Sequence, residues 1–226
     1  MDKKILVIIA VNIFLFVNGQ KENLSSFNAV SLTYQFHPKF FAFSEFQLRG
    51  NKDFYHPDYN AVRGGLGYKV RKNNSALIGF ALINNYGNKI FNRQEIRIYL
   101  QDVITQKSGI FKFENRFLLE QSWIYEPLKD LSSTRNRFRY RLNISAPLNS
   151  KKVEPGTLSA NIYDEVYFST PQKPAFSRNR LFNGISYQVS KELSLSSGYL
   201  WERNLSLIKN NNFHYLYFAC NINLDK

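Results

Sequence analysis

The chain has 226 residues, and 30 lysines and arginines against 17 aspartates and glutamates give it a formal net charge of +13. Its one cysteine, Cys220, excludes an internal disulfide framework, and the length suits one domain, even a large all-β one. The basic balance points to a polyanion partner, either nucleic acid or phosphorylated lipid at a membrane surface.

The chain opens with Lys3 and Lys4, and Ile5 to Val17 then form an apolar run broken only by Asn12. Such a run is too short, at about 1.5 Å per residue, to cross a hydrocarbon core of about 30 Å. With Val17-Asn18-Gly19 before Gln20, residues 1–19 read as a cleaved Sec-type signal peptide, and residues 20–226 as a single barrel domain. No cysteine lies near the cut, which argues against a lipoprotein anchor. Export argues against nucleic acid. Outer-membrane lipids, lipopolysaccharide included, and the barrel insertion machinery are the expected partners, and the oligomeric state is left open.

From residue 24 onward apolar side chains alternate with polar ones, the period of a β-strand. Val30, Leu32, Tyr34 and Phe36 alternate with Ser31, Thr33 and Gln35, and His37-Pro38-Lys39 makes a turn. Phe46 and Leu48 oppose Glu45, Gln47 and Arg49. Val62, Leu66, Tyr68 and Val70 oppose Arg63, Gly65 and Gly67. Ile78 and Phe80 oppose Gly79 and Ala81. Ile96, Ile98 and Leu100 oppose Glu95, Arg97 and Tyr99. Phe113, Phe117, Leu119 and Trp123 oppose Glu114, Arg116 and Glu120.

The most informative stretch comes next. Arg135, Arg137, Arg139 and Arg141 alternate with Asn136, Phe138, Tyr140 and Leu142. As a strand this gives one arginine face and one largely apolar face; as a helix the arginines would scatter around the axis. The scheme continues through Ile162, Val166 and Phe168 against Tyr163, Glu165 and Tyr167. Leu181, Ile185 and Tyr187 then oppose Arg178, Arg180 and Gly184. Leu195, Tyr199 and Trp201 oppose Gly198 and Glu202. Leu216, Phe218 and Cys220 oppose Tyr217 and Ala219.

Eleven strands are counted, most of 10–14 residues. Soluble strands run to about 5–6 residues and membrane-barrel strands to about 9–11. The predicted fold is therefore all-β, an antiparallel up-and-down transmembrane barrel of 10–12 strands, apolar outside and polar inside. Bacterial single-chain barrels have even strand numbers. An odd count thus predicts either a missing strand or residues 20–28 threading the lumen. Gly50–Asp58, Ile124–Thr134, Thr170–Phe176 and Asn204–Asn210 read as long loops; His37–Lys39, Arg71–Asn74 and Ser190–Lys191 read as tight turns.

In such a barrel Glu45, Glu95, Glu114, Glu120 and Glu165 face inward with Arg49, Arg63, Arg97, Arg116, Arg135, Arg137, Arg139, Arg141 and Arg180. Planar guanidinium forks suit carboxylates, so the lumen is expected to fill with ion pairs in place of an apolar core. Arginines outnumber glutamates, which also suggests an anion path or an anionic-ligand site. The arginine strand is expected to aim at Glu114, Glu120 or Glu165. Gly64-Gly65-Leu66-Gly67 is not a phosphate loop, because no Lys-Ser/Thr follows it; it is expected to give curvature or room for Arg63. His37, His56 and His214 are scattered, with no clustered acid, so no metal, cofactor or enzyme is expected. Tyr34, Phe36, Tyr68, Trp123, Tyr187, Tyr199 and Trp201 lie near strand ends, where membrane girdles sit.

The order Glu45-x-Gln47-x-Arg49, Glu114-x-Arg116-x-x-x-Glu120-Gln121, Arg137-Phe138-Arg139-Tyr140-Arg141, Asp164-Glu165, Asn179-Arg180, Gly184 and Gly198-Tyr199 resembles one family. It is that of the Gram-negative outer-membrane barrels catalogued as domain of unknown function 2490, over about residues 24–224. The resemblance implies an outer-membrane location and no established activity, so it carries over no catalytic residue. The C-terminus, Asn223-Leu224-Asp225-Lys226, lacks the terminal aromatic that many barrels present to the insertion machinery. The leading expectation is a filled barrel with a structural or ligand-binding role at the cell surface. An anion-favouring channel, a secreted polyanion-binding sandwich and a barrel lipid hydrolase are the alternatives.

Overall fold

Period-two alternation leaves each segment one stable solution, a strand whose two faces meet different surroundings. The computed structural model describes residues 24–50 and 57–225 and contains eleven such strands. The signal-peptide expectation for residues 1–19, and His56, lie outside the described residues. The strands are β1 (Leu24–His37), β2 (Phe40–Arg49), β3 (Tyr59–Arg71), β4 (Asn74–Gly87), β5 (Ile90–Ser108) and β6 (Phe111–Glu126). They continue as β7 (Leu131–Pro147), β8 (Leu158–Thr170), β9 (Phe176–Gln188), β10 (Leu193–Asn204) and β11 (Asn211–Asp225).

Each strand pairs antiparallel with the next, and β1 closes the barrel on β11. The even-number expectation fails here. With eleven strands the first and last run in the same direction, so their ladder is parallel, from Leu24 opposite His214 to Gln35 opposite Asp225. A parallel ladder is slightly weaker per residue, but closure removes the sheet edge that would otherwise expose unpaired backbone groups. The threading expectation fails for Leu24 to Asn28, which are wall residues of β1.

One end of the barrel, the entry end, is where β1 begins; it carries connections 50–58, 88–89, 127–130, 171–175 and 205–210. The exit end carries 38–39, 72–73, 109–110, 148–157 and 189–192. The long loop expected at Ile124–Thr134 is shorter than that. The β6–β7 ladder runs on to Glu126 opposite Leu131, and one 3-10 turn closes it, with Asp130 left-handed at φ 47°. Polar residues extend as strand there because the hairpin partner satisfies their backbone.

Polarity is inverted relative to a water-soluble sheet. Val62 (55%), Leu66 (62%), Ile78 (56%) and Leu119 (57%) stand exposed on the outer wall, while Arg137, Arg139, Glu120 and Glu165 are buried inside. Tyr34, Phe36, Phe40 and Tyr68 cluster outside at the exit end of β1, β2 and β3, and Trp123 and Tyr125 stand outside near the entry end. Among the described residues two outward carboxylates interrupt the belt. Asp102 accepts a hydrogen bond from Asn74 Nδ2 at 2.8 Å, and Asp164 accepts one from Asn179 Nδ2 at 2.5 Å.

The lumen is not purely ionic. Phe27, Phe182, Leu200 and Tyr215 form one inward apolar cluster, and Ala61, Leu77, Ile83, Tyr99 and Leu118 form another. Full burial of such a side chain contributes about 1.5–3 kcal/mol. Glycines make room for the rings. Gly79 pairs with Tyr99, and a Cβ there would overlap the Tyr99 ring; Gly67 pairs with Phe41 and sits under its ring. The space above Gly67 belongs to Phe41, and Gly65 lets the β4 backbone at Ile78 and Gly79 approach closely.

Candidate functional site: an arginine lumen

Ladder register alone brings opposite charges together. Glu45 lies opposite Arg63, Glu120 opposite Arg137, Glu165 opposite both Arg141 and Arg180, and Glu202 opposite Arg180. Because all of these residues share the inward phase of their strands, their side chains meet within the lumen.

Two carboxylates form the centre. Glu120, with its side chain 1% exposed, accepts hydrogen bonds from Arg97 Nη1 at 3.0 Å and Arg139 Nη1 at 2.9 Å, and also pairs with Arg137. Glu165 accepts from Arg116 Nη2 at 2.5 Å, Arg139 Nη2 at 2.7 Å and Tyr167 Oη at 2.8 Å, with Arg180 at 3.9 Å. Arg139 thus bridges both carboxylates. The guanidiniums of Arg137, Arg139, Arg178 and Arg180 lie 4.5–5.4 Å from the Tyr167 ring centre. A buried charge is tolerable only when paired and hydrogen-bonded, and shared carboxylates with an aromatic face supply that here.

The remaining pairs surround this centre. Glu95 holds Arg97 at 2.7 Å, Arg135 at 2.8 Å and Arg93 at 3.3 Å. Glu114 holds Arg141 at 2.9 Å, Glu45 holds Arg63 at 2.7 Å, and Glu202 holds Arg180 together with Arg178 at 3.3 Å. All four guanidiniums of the arginine strand are paired. Arg135 departs from expectation, for it reaches Glu95 on β5 rather than Glu114, Glu120 or Glu165. The network also draws in Arg93, Arg178 and Glu202, which the candidate set lacked. Alternation had already given Arg178 and Glu202 the inward phase; Arg93 shares the phase of Glu95 and Arg97.

Every residue of the expected charge network lies on the inner wall. Arg49 differs from the rest. Its guanidinium lies 4.0 Å from the Phe27 ring centre and 4.2 Å from that of Tyr59, and it donates to Gln47. Among the described residues no carboxylate forms an ion pair with it. The lumen encloses a cavity of about 670 Å³ lined by eleven arginines, Lys112 and four glutamates. Such a wall attracts anions and repels cations.

His37 and His214 sit at opposite ends of the barrel, since His214 faces Leu24 while His37 ends β1. His214 Nδ1 hydrogen-bonds the Tyr199 hydroxyl. Among curated proteins, none matches the chain. The family model described as protein of unknown function, DUF2490, matches residues 24–212, from the first residue of β1 to the start of β11, and the chain belongs to that family.

Proposed function

We propose that this protein is a non-enzymatic outer-membrane barrel, exported behind its N-terminal signal. In this reading its lumen is filled by the arginine–glutamate network, and it serves a structural or ligand-binding role at the cell surface. The observation that carries the reading is the inverted polarity, apolar outside around the barrel and ionic within. In lipid only helices and closed barrels satisfy every backbone group, so a closed sheet with an apolar outer wall suits a bilayer. Strands of 10–19 residues and outward aromatics toward both ends add support. Lipopolysaccharide and other outer-membrane lipids, with the insertion machinery, are its partners in this reading.

Membrane fractionation with heat-dependent gel mobility tests the location. The folded barrel should co-purify with outer membrane and migrate faster unheated than boiled, and recovery only from the soluble periplasm overturns the proposal. Planar bilayers test the filling, because Glu120 and Glu165 tie β5 through β9 together across the inner wall. Steady ohmic conductance would overturn the filled lumen. It would favour the second reading, an anion-favouring channel, which the arginine surplus of the 670 Å³ cavity supports. Under that reading Arg139→Ala shifts ion selectivity.

A further inference from the structure

We propose that the entry end of the lumen is a binding site for a phosphate-type dianion, held by Arg49 with Arg178 and Arg135. The inference rests on the filled-barrel reading above and adds the ligand class. Its first support is a charge without a counterion. Each of the other ten arginines lining the cavity has a carboxylate within ion-pair distance; Arg49 has none among the described residues. Two aromatic rings flank it, but a ring face returns less than desolvating a guanidinium costs.

The second support is the division of the nearby carboxylates. Glu95 is shared by Arg93, Arg97 and Arg135, and Glu202 by Arg178 and Arg180. Neither can neutralise its arginines, and the region keeps a positive surplus. The third support is open donor capacity. The Nε atoms of Arg49, Arg93 and Arg135 are buried with no hydrogen-bond partner, and buried donors are normally paired.

The place is also reachable and preorganised. Arg49 ends β2, while Arg93, Arg135 and Arg178 lie near the starts of β5, β7 and β9, all at the entry end. The side chains of Arg93, Arg135 and Arg178 are 31%, 16% and 27% exposed, unlike the sealed Glu120 centre. Arg49 and Arg180 face the same Phe27 ring, Glu202 holds Arg180 together with Arg178, and Arg49, Arg135 and Arg178 all line the one cavity. Phe27 and Tyr59 hold the Arg49 plane fixed, so little ordering remains when an anion binds. A phosphate monoester brings about two negative charges and three acceptor oxygens, which match several guanidinium forks better than a halide or a single carboxylate does.

The chemistry has two sources, a lipid headgroup phosphate or a soluble phosphorylated solute. Calorimetric titration of the full-length folded protein, in non-ionic detergent at low salt, uses sodium pyrophosphate as probe. One saturable site is expected. It should weaken about tenfold or more in Arg49→Gln and again in Arg178→Gln, the loss of one charged hydrogen-bonding partner each. Lys72→Gln, in the exit-end turn 72–73 and outside the cavity wall, should leave it unchanged. Competition by lipopolysaccharide in the micelle, and not by glucose 6-phosphate, assigns the headgroup source; the reverse assigns a soluble ligand. Should Arg49→Gln fail to fold, Arg93→Gln at the outer margin of the network replaces it, with a weaker effect expected. A barrel that is heat-modifiable and non-conducting yet takes up no pyrophosphate overturns this inference and leaves the proposed function standing. Equal uptake by the wild type and by the Arg49→Gln, Arg178→Gln double variant overturns it too.

Discussion

Glu165→Gln is the sharpest perturbation of the lumen, since glutamine keeps the volume and an acceptor oxygen while deleting the charge. Glu165 answers Arg116 at 2.5 Å, Arg139 at 2.7 Å and Arg180 at 3.9 Å, with its side chain 3% exposed. Arg139 and Arg180 retain Glu120 and Glu202, but Arg116 has no other carboxylate partner among the described residues. Breaking a buried pair from one side costs about 3–5 kcal/mol, because the remaining charge stays buried and uncompensated. Urea unfolding in phospholipid vesicles, followed through Trp123 and Trp201, should show the unfolding free energy fall by that amount, through a lower midpoint with the slope unchanged. The Glu165→Gln, Arg116→Gln double variant should lose less than the sum of the singles, with a coupling of about 0.5–3 kcal/mol. Glu114→Gln is the control, since its side chain is 22% exposed and it should cost far less. If Glu165→Gln costs no more than Glu114→Gln, the ionic network is not what holds the lumen.

Gly79→Val forces a side chain into the Tyr99 ring and should cost about 1–3 kcal/mol in the same unfolding assay, with part recovered in the Gly79→Val, Tyr99→Ala pair. An unperturbed Gly79→Val would mean that Tyr99 does not pack over it. Leu100→Lys places a charge on the outer wall, where Leu100 is 55% exposed; in vesicles it should cost about 2–4 kcal/mol near mid-bilayer. A water-facing wall would instead keep that substitution within about 0.5 kcal/mol, and so small a change would refute the lipid-facing assignment.

Strand existence and inward phase were legible because both depend on local alternation. The arginines at 135, 137, 139 and 141 identified the inner face directly, and that phase placed glutamates from other strands beside them. Strand parity was not legible. An even count is a habit of bacterial barrels, while closure depends on how Leu24–Gln35 meets His214–Asp225, nearly two hundred residues away. Register hid the glycine–aromatic pairs in the same way, since nothing local links Gly79 to Tyr99 or Gly67 to Phe41 until β4–β5 and β2–β3 are aligned. Counting arginines against glutamates revealed a surplus but could not show which guanidinium is left over. That it is Arg49 depends on Phe27 and Tyr59 closing over it from the two neighbouring strands, β1 and β3, a register that a count of charges does not contain.

Parallel closure also puts Leu24 and Asp225 at opposite ends of the barrel, so the two ends must be told apart. Outer-membrane barrels keep short turns inside and longer loops outside. The entry end holds the connections 50–58, 171–175 and 205–210, whereas the exit end holds mostly two-residue turns. Its exception, 148–157, folds back on itself: Leu148 N donates to the Leu158 carbonyl at 2.7 Å and Asn149 Nδ2 to the Gly156 carbonyl at 3.0 Å. It is a compact cap rather than an open loop. Under the outer-membrane proposal, loop length therefore predicts that the entry end, with Arg49, Arg135 and Arg178, faces outside. In a Cys220→Ser background, Ser206→Cys in the 205–210 connection should react with an impermeant maleimide on intact cells. Lys191→Cys in the 189–192 turn should react only after permeabilisation. The reverse pattern would overturn the loop-length argument and turn Arg49 toward the periplasm, where only ligands already inside the envelope could reach it.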